Sequence, residues 1–105
     1  MRGQLKLTKE DTDWAHAVKE RDGRKCVICG DTFRPNAHHV IVRENHETKL
    51  DISNGLTLCP KHHFFCRQIS AHNNPLGLFI WLEKNRPEQF NYCKKQMEII
   101  LDAKG

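Results

Sequence analysis

Two adjacent histidine pairs, His38-His39 and His62-His63, flank Asn54 in the middle of the chain, and Cys26, Cys29 and Cys59 lie around them. Imidazoles and thiolates are the donors that hold Zn²⁺ and related divalent ions, and in a small domain each one left idle must find another partner. These donors outnumber the set that a single closed tetrahedral site takes. The stretch therefore reads as two sites, one that holds the fold together and one that carries chemistry.

The first site follows from spacing. Cys26-Val-Ile-Cys29 places two thiolates where one ion can bridge them, and Gly30 behind the second lets the backbone turn beneath that ion. The same spacing serves a redox dithiol, but no strand-helix-strand pattern surrounds it. Cys59-Pro-Lys-His62 supplies a matching half, giving a Cys26, Cys29, Cys59 and His62 set with 29 residues between the halves. The alternative for Cys59 is a small buried hydrophobe. Metal binding of this kind is part of folding and contributes roughly 10–16 kcal/mol in zinc-finger peptides.

A chain of 105 residues with 38% apolar content is expected to be one domain with a modest core, which a metal crosslink would reinforce. Its five cysteines are an odd number, and its opening MRGQLKLTKEDTD lacks the apolar stretch of a secretory signal. A reducing cytoplasm is the expected compartment, where paired cysteines serve metals more often than disulfides. No run approaches the roughly 18 apolar residues of a membrane span, so no membrane partner is expected. The net charge of +4 suits a polyanion.

The elements that must position these residues can be read in order. Residues 1–10 are expected to be a flexible lead. A short helix follows, with N-cap oxygens from residues 11–13, Trp14 and Val18 on one face, and a stop at Asp22-Gly23. His16 on this helix has no assigned role. Residues 31–36 read as a turn and residues 37–42 as a β-branched strand, whose alternation sends His38 and His39 to opposite sides. Residues 43–53 read as a polar surface loop containing His46, with Arg43 and Lys49, and Lys61 beyond it, within reach of phosphates.

Asn54-Gly55 turns into the strand Leu56-Thr57-Leu58, and Pro60 begins a helix carrying His62, His63, Cys66 and Arg67. Neighbours on a helix diverge by about 100°, so His62 can face the cysteines while His63 faces the first strand. Cys66 is expected in packing. Residues 75–103 form two helices, the first using Leu76, Phe79, Ile80 and Leu82 as its apolar side and the second Phe90, Cys93, Met97 and Ile100 or Leu101. Lys94 and Lys95 lie off that stripe on a solvated face.

Taken together, C-x2-C, HH, N and C-x2-H-H in this order resemble the HNH endonucleases, the ββα-metal or His-Me finger nucleases, in particular their small zinc-stabilised phage and bacterial members. Arg21-Asp22-Gly23 matches the segment that precedes the first cysteine pair in that family. The resemblance implies an α+β fold: a ββα-metal core over residues 24–72 with a Cys3His structural zinc site and flanking helices. It implies a metal-dependent endonuclease that nicks or cleaves DNA by phosphodiester hydrolysis, leaving 5′-phosphate and 3′-hydroxyl ends. His39 would be the general base, His38 and His63 the ligands of a catalytic Mg²⁺, Mn²⁺, Ni²⁺ or Zn²⁺, and Asn54 the residue that orients His39.

Some relatives have a third histidine one helical turn past the equivalent of His63. Here that position is Arg67, which cannot ligate a cation; it either clamps a phosphate or is an exposed helix residue. His72 is the further candidate ligand if the helix breaks first, the alternative being a loop or cap histidine. Expected partners are DNA and, through the likeness to small phage enzymes, packaging or restriction components in the cytoplasm of a bacterial host. The competing reading is a non-catalytic zinc-stabilised DNA- or protein-binding module in which the same histidines only pack.

Overall fold

Thr8 is the first residue described in the computed structural model, which covers residues 8–104. Its hydroxyl accepts from the Asp11 N–H at 3.1 Å, and Asp11 Oδ2 accepts from the Thr8 N–H at 3.0 Å. This reciprocal cap starts α1 (Lys9–Arg21) ahead of the cap expected over residues 11–13, because Asp11 serves as the third residue of the box. Residues 8–10 thus belong to the capped helix rather than to a flexible lead, and residues 1–7 lie outside the described residues. Trp14 and Val18 are buried as expected, and Gly23 turns the chain at φ +72° behind the Asp22 cap.

A two-stranded antiparallel sheet follows, β1 (Asn36–His39) and β2 (Gly55–Leu58), with His38 opposite Leu56 and His39 opposite Gly55. β1 stops short of the expected residue 42 because Asn54 takes over its pairing. The Val40 N–H donates to the Asn54 carbonyl at 3.0 Å and the Ile41 N–H to Asn54 Oδ1 at 2.7 Å. Gly55 is not the turn residue expected. It lies in extended strand, where an added Cβ would meet Val18 Cγ2 at 2.5 Å and Trp14 Cζ2 at 2.7 Å, so its missing side chain is what lets α1 approach the sheet. The loop between the strands is also more than surface: Ile41 and Thr48 are buried, and Trp14 Nε1–H donates to the Asp51 carbonyl at 2.7 Å.

After β2 the chain makes one wide turn, Lys61–Phe65, closed by the Cys66 N–H on the Lys61 carbonyl at 2.7 Å. Cys66 then takes an extended conformation with ψ 129°, so the expected helix ends before it, and neither Cys66 nor Arg67 is helical. α2 (Pro75–Asn85) begins at the Asn74 cap, which accepts from the Gly77 N–H at 3.1 Å, and α3 (Pro87–Lys104) follows. α2 buries Leu78 and Leu82, while Leu76, Phe79 and Ile80 are exposed. On α3, Cys93 is buried and Phe90 and Ile100 are half-buried, but Met97 and Leu101 are exposed, so the apolar stripe is covered only in part.

Leu56, Leu58, Leu78 and Leu82 form the core together with Cys26 and Cys59. Asp22 locks these pieces together, accepting from Arg21 at 2.8 Å, from Arg86 at 2.9 Å and from the Thr57 N–H at 3.0 Å. Burial alone would raise its pKa, but these donors outweigh it and hold the carboxyl below its ordinary value. The fold is α+β, and no helix among the described residues is long and apolar enough to cross a membrane.

Candidate metal centres and the His39 site

Cys26 Sγ and Cys59 Sγ lie 3.6 Å and 3.5 Å from His62 Nδ1, and Cys29 Sγ lies 3.7 Å from Cys59 Sγ. Zinc–sulfur bonds of about 2.3 Å and zinc–nitrogen bonds of about 2.0–2.1 Å give a tetrahedron with edges of about 3.8 Å between sulfurs and about 3.6 Å between sulfur and nitrogen. The cluster has these dimensions, with all its ligand atoms within 4.8 Å of one another, and it can hold zinc. The first cysteine pair is shaped by the Cys26 N–H on the Asp31 carbonyl and the Gly30 N–H on the Cys26 carbonyl, each at 2.9 Å, with Gly30 at φ +77°. Val27 N–H on the Thr57 carbonyl at 3.0 Å ties that turn to β2.

The thiols are electrostatically unequal. Burial, with the Cys59 and Cys26 thiols beside it, pushes Cys29 up to about 11. At Cys26 burial acts upward too, but the N–H groups of Cys59, Cys29 and Ile28 outweigh it and its pKa is lowered. A bound cation is what allows such closely spaced thiols to ionise together.

A second cluster lies beside the first. His38, His63 and His72 each bring a ring nitrogen within 4.8 Å of the others. His38 comes from β1 and His63 from the wide turn, their ring centroids 5.1 Å apart. His72 returns beside them because the Ala71 N–H donates to the His62 carbonyl at 2.9 Å and the His72 N–H to the His63 carbonyl at 3.0 Å. That return requires the turn to end at Phe65. Phe64 lies nearly parallel to His72, with ring centroids 4.8 Å apart and planes 14° from parallel.

Burial, reinforced by the charges of His63, His72 and His39, pushes His38 down to about 4, and burial likewise lowers His63. Both imidazoles are therefore neutral at pH 7, the form that offers a lone pair to a cation. His63 Nδ1 is buried without a hydrogen-bond partner, an orphan that an ion would satisfy. Three imidazoles, the third of them exposed, fit a divalent ion with open positions. Arg67 is outside the cluster and exposed, and its carbonyl accepts from Asn74 Nδ2 at 3.1 Å. Cys66 is also outside both clusters, half-buried with its thiol on Gln68 Oε1 at 3.6 Å, and is not the core residue expected.

His39 belongs to neither cluster and packs against α1. Its ring stacks on Trp14 with centroids 3.8 Å apart and planes within 5°, and Nε2 lies 2.9 Å from the Lys49 carbonyl. A carbonyl only accepts, so Nε2 carries the proton and Nδ1 keeps its lone pair. Burial is the main cause of its lowered pKa; the Arg43 charge adds to it, while the Lys49 carbonyl and Asp11 oppose it.

Asn54 is fully buried and fixes the loop that delivers that carbonyl. Besides accepting from Ile41, it donates to the Ile41 and Thr48 carbonyls at 3.0 Å and 3.2 Å. Arg43, expected to be within reach of phosphates, is held by Asp11 at 2.7 Å. His39 opens onto a groove of about 370 Å³ shared with Trp14, His16, Lys19, Asn36 and Arg43. Sequence reasoning missed the parts played here by Trp14 and by the Lys49 backbone; a tryptophan one strand away from a histidine pair gives no signal until the register is known. No family model matches the chain, and no curated protein or solved structure matches it.

Proposed function

We propose that the chain is a metal-dependent endonuclease that hydrolyses DNA phosphodiester bonds, with β1, β2 and the turn Lys61–Phe65 as a ββα-metal core. One observation carries this reading. Beyond the four zinc ligands, His38, His63 and His72 converge as a second metal-competent set, and His39, the residue after His38 on the strand, retains a free Nδ1 lone pair. A zinc-stabilised binding module needs only Cys26, Cys29, Cys59 and His62, and it leaves the second constellation without a purpose.

In the proposed reaction His39 Nδ1 takes a proton from water as its oxygen attacks phosphorus. Burial keeps the imidazole neutral at pH 7, so the lone pair is present before substrate arrives. The Lys49 carbonyl holds the opposite ring proton, and the Asn54 bonds hold the loop that carries Lys49, so the base is oriented in advance. When bound, a divalent ion such as Mg²⁺, Mn²⁺, Ni²⁺ or Zn²⁺ supplies positive charge for the phosphate and the departing 3′ oxygen. His38, His63 and His72 are the residues that would hold it. In this reading the Arg67 guanidinium, which is exposed, clamps a phosphate oxygen.

Nicking of supercoiled plasmid with added Mg²⁺, Mn²⁺ or Ni²⁺ tests the proposal. The unaltered protein should nick, and His39→Ala should not, while it stays folded with its zinc content unchanged and loses only the modest stability of the Trp14 stack and the Lys49 hydrogen bond. Intact plasmid under every divalent ion overturns the nuclease reading, and DNA binding without cutting would assign the chain to the zinc-stabilised module. Loss of zinc or of folding in His39→Ala would make His39 a structural residue instead.

A further inference from the structure

We infer that Trp14 is a positioning residue for His39: its indole sets the plane of the imidazole and so the direction in which Nδ1 points. The inference rests on His39 as the general base. Extended, the Cβ–Cγ bond of a histidine crosses the far Cε1–Nε2 bond, so rotation about it moves Nε2 less than Nδ1. The hydrogen bond from Nε2 to the Lys49 carbonyl, at 2.9 Å, therefore restrains the tip of the ring without by itself fixing its plane. That torsion is intrinsically broad in histidine. A flat surface against the ring face restricts it directly, and the indole lies 3.8 Å away within 5° of parallel.

The indole is itself held on two sides. Its Nε1–H donates to the Asp51 carbonyl at 2.7 Å, in the loop that also presents Lys49. Its Cζ2 edge occupies the space a side chain at residue 55 would fill, 2.7 Å from the position of an added Cβ. Gly55 is the register partner of His39, so the sheet leaves that space open directly across from the imidazole. Trp14 is only 6% exposed, which a packing role explains, but packing alone asks for apolar bulk and not for a plane parallel to His39.

Two substitutions separate plane from bulk. Trp14→Phe keeps a flat face, Trp14→Leu keeps only apolar volume, and both lose the Asp51 hydrogen bond, so both should lose stability. Their kcat and KM for nicking a short DNA duplex with Mn²⁺ are to be measured beside the NMR order parameter of the His39 ring in the zinc-loaded protein. Trp14→Leu should lower kcat by up to about 100-fold with KM unchanged and lower the NMR order parameter of the His39 ring, and Trp14→Phe should restore most of both. Equal kcat in the two variants, or a His39 ring as ordered in Trp14→Leu as in the parent, overturns the inference.

If Trp14→Leu does not fold, Gly55→Ala crowds the indole and Val18 without removing either and should give the same kcat loss and a less ordered His39 ring; their absence overturns the inference equally. A protein that never cuts refutes the nuclease reading, while the NMR order parameter still decides whether Trp14 holds the His39 ring.

Discussion

Removing the Asn54 carboxamide should cost the domain a large share of its stability. The side chain is fully buried and makes three hydrogen bonds, from the Ile41 N–H at 2.7 Å and to the Ile41 and Thr48 carbonyls at 3.0 Å and 3.2 Å. Asn54→Ala leaves the Ile41 N–H and carbonyl without this partner, while the Thr48 carbonyl keeps the Asp51 N–H. A buried polar group left unpaired costs about 1–3 kcal/mol, and water entering the vacated space favours the low end, so the loss should be about 2 kcal/mol. For a domain of this size that corresponds to a fall in Tm of about 8–16 °C.

Asn54→Asp preserves shape and the acceptor for Ile41 but turns an oxygen toward two carbonyls, so it should be no better at neutral pH. Calorimetric melting of the zinc-loaded protein reads the stability, and plasmid nicking at a temperature where the variant is folded reads the effect on His39. Both variants should lose cutting, since the loop that presents the Lys49 carbonyl is no longer fixed. A Tm within about 4 °C of the parent together with intact cutting would show that the Trp14–Asp51 and Asp11–Arg43 contacts hold this loop and that the reasoning about Asn54 is wrong.

Two further outcomes are expected. Chelating the zinc, or Cys59→Ser, should unfold the domain and abolish Mn²⁺ binding at His38, His63 and His72, because His72 hangs from the carbonyl beside His62; calorimetric Mn²⁺ binding that persists without zinc would refute this coupling. Asp22 has a folded pKa below its ordinary value of about 3.9, so its contribution is full above that value and is lost as pH falls through the folded pKa. Denaturant melts across the acidic range should therefore show a steep decline for the parent and a shallower one for Asp22→Asn, and equal slopes would discount Asp22.

The zinc half of the chain is legible because ligand geometry is set by short spacings. Two donors separated by two residues reach one ion wherever the turn sits, as Cys26 with Cys29 and Cys59 with His62 show. The divergence of His62 from His63 is likewise written in the angle between helical neighbours. Less legible is anything that depends on how a turn closes. The wide turn ending at Phe65 has the same local composition as the start of a helix, and its end brings His72, not a residue at helical spacing, beside His63.

The α1 cap was obscured because Thr8 stands next to a denser cluster of capping residues over positions 11–13. Gly55 was misread because the turn chemistry of Asn-Gly and the need for a close approach call for the same residue. The stacking of Trp14 on His39 depends on long-range packing that no local pattern encodes.

Cys29 is exposed while Cys26, Cys59 and His62 are buried. Oxidants and competing chelators therefore meet the cluster at this residue first, and oxidation there removes a ligand before the core is breached. The durability of the whole domain under oxidative stress is then governed by the accessibility of one residue that takes no part in the imidazole cluster.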